Sequence, residues 1–110
     1  MESATLAALA EPSRLKIVEF LLMGSASVGE IAEKLVLRQP QTSKHLKILS
    51  DHGWVEARPR AQTRIYQLRA AAFQELELWL ESFRKLWEAN YQRLDILLEE
   101  LKTNEKGEKL

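Results

Sequence analysis

The chain has 110 residues, of which 45% are hydrophobic and 29% are charged, so it can form one modest core and does not have a disordered composition. It contains no cysteine, which excludes disulfides, thiolate metal sites and cysteine nucleophiles. The formal net charge is zero, yet positions 38–69 carry a net +5 and positions 71–101 a net −4, and this segregation suits a polyanionic partner for the basic segment.

The chain shows no targeting pattern. No apolar run approaches the roughly 20 residues that a bilayer span requires. The first residues lack the basic region of a signal peptide. We therefore expect a cytoplasmic protein.

The start of the chain predicts two helices. Residues 3–10 are rich in alanine and leucine, which favour helix. Pro12 stands where a first-turn proline is tolerated, and an apolar stripe that includes Leu22 predicts a second, core-facing helix over residues 12–23. Gly24 is expected to end it.

Two short helices across a four-residue break follow, which is the spacing of a helix-turn-helix motif. Ser27 and Glu30 have the pattern of a capping box, which opens a third helix that stops near Val36. Pro40 lies in the opening turn of the fourth helix, and Gly53 closes that helix.

The next segment predicts a β-hairpin wing. Residues 54–58 and 63–68 have the composition and alternation of two strands. Pro59 cannot donate to a ladder, so the ribbon must be an edge pair or open there. The fold class predicted is mainly α with a small two-stranded wing: a winged helix-turn-helix of four helices, two strands and a last helix, in one domain of residues 1–102.

The last predicted helix, residues 72–102, carries more apolar surface than one small domain can cover. Its apolar residues alternate by three and four positions, as in a heptad seam, over a length of about 45 Å. We therefore expect it to pair with a second copy of the chain, and the tail, residues 103–110, to be disordered. The predicted contacts on this helix are Leu76, Trp79, Leu80, Phe83, Trp87, Tyr91, Leu94 and Leu98.

The polar face of the fourth helix and the wing carry the candidate DNA contacts. Amides can pair with an adenine edge, and lysines can reach guanine or phosphate. Any amphipathic helix has a polar face, but three arginines around the hairpin, with no acid nearby, suit a backbone or minor-groove contact. The candidates are Gln39, Gln41, Ser43, Lys44, His45 and Lys47 of the helix and Arg58, Arg60, Gln62 and Arg64 of the wing.

Several motifs, taken together, resemble the ArsR-type winged helix-turn-helix repressors. In chain order they are EPSRLKIVEFLL, VGEIAEKL, QPQTSKHLKIL, GWVEARP and RIYQL, between Glu11 and Leu68. The resemblance implies a homodimer whose interface comprises the last helix and the first, with Leu6 and Leu9, and a repressor of its own operon. It also implies base contacts by the residues that open the recognition helix: Gln39, Pro40, Gln41, Ser43 and Lys44, with His45 beside them.

The chain departs from that family at two turns. Val36 and Arg38 stand where the helix-turn-helix turn often has Gly and then Ser. Because a β-branched residue disfavours positive φ, this turn must be built differently or be strained. The wing turn offers Pro59 and Ala61 in place of the usual glycine.

A further departure concerns sensing. Metal-responsive members of the family use cysteine pairs, or aspartate and histidine ligands along the last helix. This chain has no cysteine, and its two histidines, His45 and His52, both belong to the recognition-helix segment. We therefore expect no metal site and no cofactor.

These patterns predict a sequence-specific regulator that binds double-stranded DNA, most simply a dimeric (auto)repressor that does not sense metal and reads an imperfect palindrome. The alternative is a winged-helix protein-interaction module that binds an acidic protein partner and does not bind DNA. An enzyme is not expected, because the sequence shows no nucleophile–base arrangement, glycine-rich phosphate loop or apolar carboxylate pair. The pattern identifies no small-molecule effector.

Overall fold

A computed structural model describes the backbone of residues 1–108 and the side-chain surroundings of residues 1–104. The chain divides into two compact units, Met1–Leu76 and Glu77–Leu110. In chain order the elements are α1 (Ser3–Leu9), α2 (Pro12–Leu21), β1 (Ala26–Ser27), α3 (Val28–Leu35), α4 (Gln39–Asp51), β2 (Val55–Arg60), β3 (Thr63–Leu68) and α5 (Ala70–Glu108).

The sheet has three strands rather than the two that the sequence predicted. Its order is β1-β3-β2, and both pairings are antiparallel. The additional strand β1 has two residues, with Ala26 opposite Tyr66, and so short a segment has no readable alternation. The hairpin of β2 and β3 has the expected position, and Pro59 lies on the edge strand β2 opposite Arg64, where a missing N–H is tolerated.

The core of the first unit is centred on Trp54, which is fully buried where α4 gives way to β2. Its indole Nε1 donates to the carbonyl oxygen of Thr5 in α1 at 2.8 Å. The ring of Phe73, in the first turn of α5, stands edge-on to the indole with centroids 5.0 Å apart. Trp54 therefore connects α1, the base of the wing and the start of α5. The predicted core role of Leu22 was wrong, since this side chain at the end of α2 is 71% exposed.

The ends of α3 position the recognition helix. The Ser27 half of the predicted capping box is present, because the Glu30 backbone N–H donates to Ser27 Oγ at 3.2 Å. The Glu30 half differs from that motif, because Oε1 accepts from the Ser27 hydroxyl, at 3.1 Å, and a capping box has this carboxylate accept from the backbone N–H. At the other end Val36 adopts the left-handed conformation, with φ 56° and ψ 49°, and the Leu37 N–H donates to the Ala32 carbonyl at 2.9 Å. This is the turn that glycine usually makes after a helix, so the strained alternative predicted for Val36 is confirmed.

The second unit consists of α5 from Glu77 onward. The helix continues through Glu108, so the predicted end at residue 102 was too early, and the tail predicted from Thr103 begins inside the helix. Residues 109–110, on which that prediction also falls, lie outside the described residues. Among the described residues no helix combines the length and apolar character needed to cross a bilayer.

Candidate nucleic-acid interface

The recognition helix α4 has one buried face and one exposed face. Thr42, Leu46 and Leu49 are all fully buried, with the spacing of three to four residues that one helical face requires. The buried Thr42 hydroxyl donates to the Arg38 carbonyl at 2.9 Å, so its burial leaves no unpaired polar group. The remaining predicted contacts on the helix, apart from His45, are exposed together: Gln39, Pro40, Gln41, Ser43, Lys44 and Lys47.

His45 is not part of this exposed set. Its side chain is 14% exposed and turns toward the start of α2. Ring Nδ1 lies 3.4 Å from Arg14 Nη1 and 3.8 Å from Glu11 Oε2. The sequence placed His45 on the flank of the polar face, but it could not show that α2 closes over that flank.

The wing presents Arg60, Gln62 and Arg64 to solvent. Its turn is made by Ala61 at φ 55°, and the Thr63 hydroxyl donates to the Arg60 carbonyl at 3.1 Å. Within the described residues, neither arginine has a carboxylate within 4.0 Å. Both guanidinium groups are therefore free to meet an anionic partner.

The expectation of no acid near the wing arginines was wrong for Arg58. Its Nη2 lies 3.3 Å from Glu56 Oε1, because residues two apart on a strand point to the same side. The same carboxylate oxygen accepts a hydrogen bond from Gln67 Nε2 at 2.6 Å. The Gln67 amide, followed by the Arg58 guanidinium, lowers the pKa of Glu56, so this carboxylate stays ionised and offsets the Arg58 charge.

A groove of about 320 Å³ separates α4 from the hairpin. The cations Lys47 and Arg64 lie on its two sides, and Asp51 is its acidic member. Sequence reasoning missed Ser50 and Tyr66 as part of this surface, because only the fold brings the side of β3 that carries Arg64 and Tyr66 beside the helix. The full lining is Ser43, Leu46, Lys47, Ser50, Asp51, Ala57, Arg64 and Tyr66.

The N-terminal end of α4 is open to an anion. The helix has no acidic residue in its first turn, and the Arg38 side chain makes no capping hydrogen bond. The first N–H groups of such a helix lack intrahelical partners and carry the positive end of its dipole. An α-helix of about 10–12 Å diameter also fits the B-DNA major groove, which is about 12 Å wide. The geometry therefore suits insertion of α4 end-first, with the wing beside it.

The residues predicted for dimer contacts lie in both units. In the first unit Leu6, Leu9 and Leu76 are half-buried, and Leu9 and Leu76 pack against the core. In the second unit two aromatic pairs line one face of α5: Trp79 with Phe83, at 4.9 Å, and Trp87 with Tyr91, at 6.5 Å. Trp79 is half-buried, and the other predicted contacts in this unit are 44–63% exposed: Leu80, Phe83, Trp87, Tyr91, Leu94 and Leu98.

Comparison with known proteins adds the family context. Residues 11–57 match the model of the bacterial regulatory protein arsR family. An HTH-type transcriptional regulator of Mycobacterium tuberculosis is 40% identical over 76 residues, which is 69% of this chain and 71% of that protein. A probable mercury resistance operon repressor of Streptomyces lividans is 45% identical over 51 residues, which is 46% of this chain and 41% of that protein. The chain thus spans less than half of the second relative.

Solved structures give the same fold. The crystal structure of an ArsR family transcriptional regulator, RHA00566, matches with a TM-score of 0.69 and 30% identity, covering 77% of this chain and 93% of that one. The homodimeric winged helix-turn-helix DNA-binding domain of a Mycobacterium bovis protein matches with a TM-score of 0.61 and 26% identity, covering 72% of this chain and 77% of that one. These matches are to transcriptional regulators, in agreement with the prediction that the chain is not an enzyme.

Proposed function

This chain belongs to the ArsR family of winged helix-turn-helix transcriptional regulators, and from that premise we propose that it is a homodimeric, sequence-specific DNA-binding repressor that does not respond to metal. The observation that carries the proposal is the groove between α4 and the hairpin, which has Lys47 on one side and Arg64 on the other. Lys44 lies three residues before Lys47 on α4, and Arg60 lies at the wing tip, where its register opposite Thr63 places it on the other side of the hairpin from Arg64. We propose that these four cations meet the same duplex, and we call them the cationic face. All four side chains are exposed, and within the described residues none has a carboxylate within 4.0 Å.

The residues of this interface have different roles. Gln39 and Gln41, in the first turn of α4, read base edges, because a side-chain amide can pair bidentately with adenine. Pro40 and Ser43 contact the DNA beside them. The cationic face neutralises phosphates, which fixes position and register without reading sequence. Gln62 and the wing arginines reach the backbone or the minor groove, and Arg58 contributes less because Glu56 offsets its charge.

Pairing of two copies sets the geometry of the site on DNA. The exposed apolar and aromatic side chains of α5 are the kind of surface that a second chain covers. The Mycobacterium bovis domain that shares this fold is homodimeric. We place Leu6 and Leu9 of α1 in the same interface. Two recognition helices related by a two-fold axis read half-sites about one helical turn, roughly 34 Å, apart on an imperfect palindrome.

Repression and metal independence complete the proposal. The Streptomyces lividans relative is a probable repressor of a mercury resistance operon. This chain has no cysteine to offer a thiophilic metal and has two histidines, of which His45 is engaged by Arg14. Its residues therefore suit a regulator whose DNA affinity is independent of metal.

The test is selection of bound duplexes from a randomised library, followed by band-shift titration of the most enriched sequence (the selected duplex) and of a scrambled duplex. We expect the selected duplex to be palindromic and its binding affinity to exceed that of the scrambled duplex by at least about 10³-fold, in the range of specific regulators. Sedimentation of the complex should give two protomers per duplex. Equal affinity for both duplexes, or no shift at all, would contradict the proposal, and a stable complex with an acidic protein in its place would identify an interaction module.

A further inference from the structure

Arg14 of α2 connects α1 to the recognition helix. Its Nε and Nη2 donate to the carbonyl oxygens of Ala8 and Ala7, at the C-terminal end of α1. Its Nη1 points the other way and lies 3.4 Å from Nδ1 of His45 in α4. A single guanidinium group thus binds the α1 terminus on one side and the recognition helix on the other.

The contact with Arg14 constrains the tautomer of the His45 ring. Because a guanidinium can only donate, a hydrogen bond across this 3.4 Å contact requires a neutral ring that accepts at Nδ1 and carries its proton on Nε2. Nε2 is buried and has no hydrogen-bond partner among the described residues, so Arg14 is the one hydrogen-bonding partner of this ring.

Glu11 joins Arg14 and His45 in one contact group. Its carboxylate accepts the Arg14 backbone N–H at 2.8 Å and lies 3.8 Å from Nδ1 of His45. α1 contributes backbone carbonyls to the group. Within the described residues α3 and β2, which also pack against α4, place no carboxylate within 4.0 Å of the ring.

We propose that Arg14 and His45 are positioning residues that hold the recognition helix at a fixed orientation relative to α1, and that their contact raises affinity for the specific duplex without touching DNA. The inference rests on the proposed function, because α1 is there part of the dimer interface and α4 the DNA-reading element. A fixed orientation between them sets the separation and angle of two recognition helices across the dimer. That separation matters for a palindrome of defined spacing and little for random DNA, where phosphate attraction dominates.

The contact itself is tested by ¹⁵N–¹H spectra of the histidine rings in the full-length protein. The chain has two histidines, so His52, at the C-terminal end of α4, is an internal control. We expect the His45 ring to carry its proton on Nε2 and to change its Nδ1 signal in Arg14→Lys, while His52 stays unchanged. A proton on Nδ1 at neutral pH, or a His45 signal insensitive to Arg14→Lys, would overturn the inference.

The coupling to DNA is tested by a double-mutant cycle. Arg14→Lys keeps the charge but cannot span both partners, and His45→Leu removes the acceptor. His45→Asn keeps an acceptor near the position of Nδ1 and serves as the conservative variant. Each disruptive variant should weaken binding of the selected duplex about tenfold, which is about 1.4 kcal/mol. Binding of the scrambled duplex should change less than twofold, and the double variant should lose no more than either single variant.

The outcomes separate the two proposals. Equal losses on selected and scrambled DNA, additive losses in the double variant, or no recovery in His45→Asn would overturn the positioning role while leaving the regulator intact. A wild-type protein that binds no duplex would overturn both. Thermal melts of each variant at the same protomer concentration check that the losses do not come from unfolding.

Discussion

Replacing Val36 by glycine should stabilise the protein, although it removes a side chain from the turn before the recognition helix. Val36 has φ 56°, and its side chain is 88% exposed, so removing this side chain takes away little buried apolar surface. The left-handed conformation costs an L-residue about 1–2 kcal/mol. Relieving this strain stabilises the fold, but glycine has more conformational freedom in the unfolded chain, which offsets about 0.5–1 kcal/mol of the stabilisation. The free energy of unfolding should therefore rise by roughly 0.5–1 kcal/mol, the balance of these two contributions.

Urea denaturation followed by tryptophan fluorescence measures this change, with both proteins at the same protomer concentration because a dimer's stability depends on it. The matched control is Lys34→Gly, an exposed position two residues earlier inside α3. Glycine there should destabilise by about 1 kcal/mol, because the helical conformation has no strain to relieve. Loss of stability in Val36→Gly, or equal losses in both variants, would refute the strained turn.

Three further predictions concern DNA, metal and pH. Gln41→Ala should relax sequence preference, whereas Arg60→Ala should weaken all duplexes alike and reduce the salt slope by about 1; equal losses on specific and random DNA in anisotropy titrations of both variants would contradict this division. Zinc added to the protein–DNA complex should leave its band shift unchanged, and release of DNA would refute metal independence. Glu11→Gln should destabilise the fold at neutral pH. The Arg14 backbone N–H lowers the pKa of Glu11 below its ordinary 4.5, so the ionised form stabilises the fold above that value and the benefit disappears as the pH falls through the lowered folded-state pKa. Equal differences in urea midpoint at pH 7 and pH 3 would contradict it.

The helices could be predicted from sequence because their ends carry local signals. Pro12, the Ser27–Glu30 box and Gly53 each mark a boundary through groups within a few residues, and these boundaries are confirmed to within about three residues. The buried face of α4 follows from helical spacing in the same way.

The features that the sequence did not predict depend on partners that are distant in sequence, or on a strand signal that was overlooked. β1 exists because Ala26 pairs with Tyr66, and His45 turns inward because of Arg14, 31 positions earlier in the chain. Neither contact can be recognised from neighbouring residues in the sequence. The Glu56–Arg58 pair could have been predicted, because both residues lie in the predicted strand 54–58 and alternate residues of a strand point to the same side.

We propose that two protomers present their cationic faces to one duplex, and the salt dependence of binding tests this directly. If the four cations of the cationic face in each protomer neutralise eight phosphates in the complex, log K should fall with log salt with a slope of about −7. The selected duplex should then bind about 10⁴-fold more weakly at 200 mM than at 50 mM salt. A slope near zero over that range would contradict DNA binding through this surface.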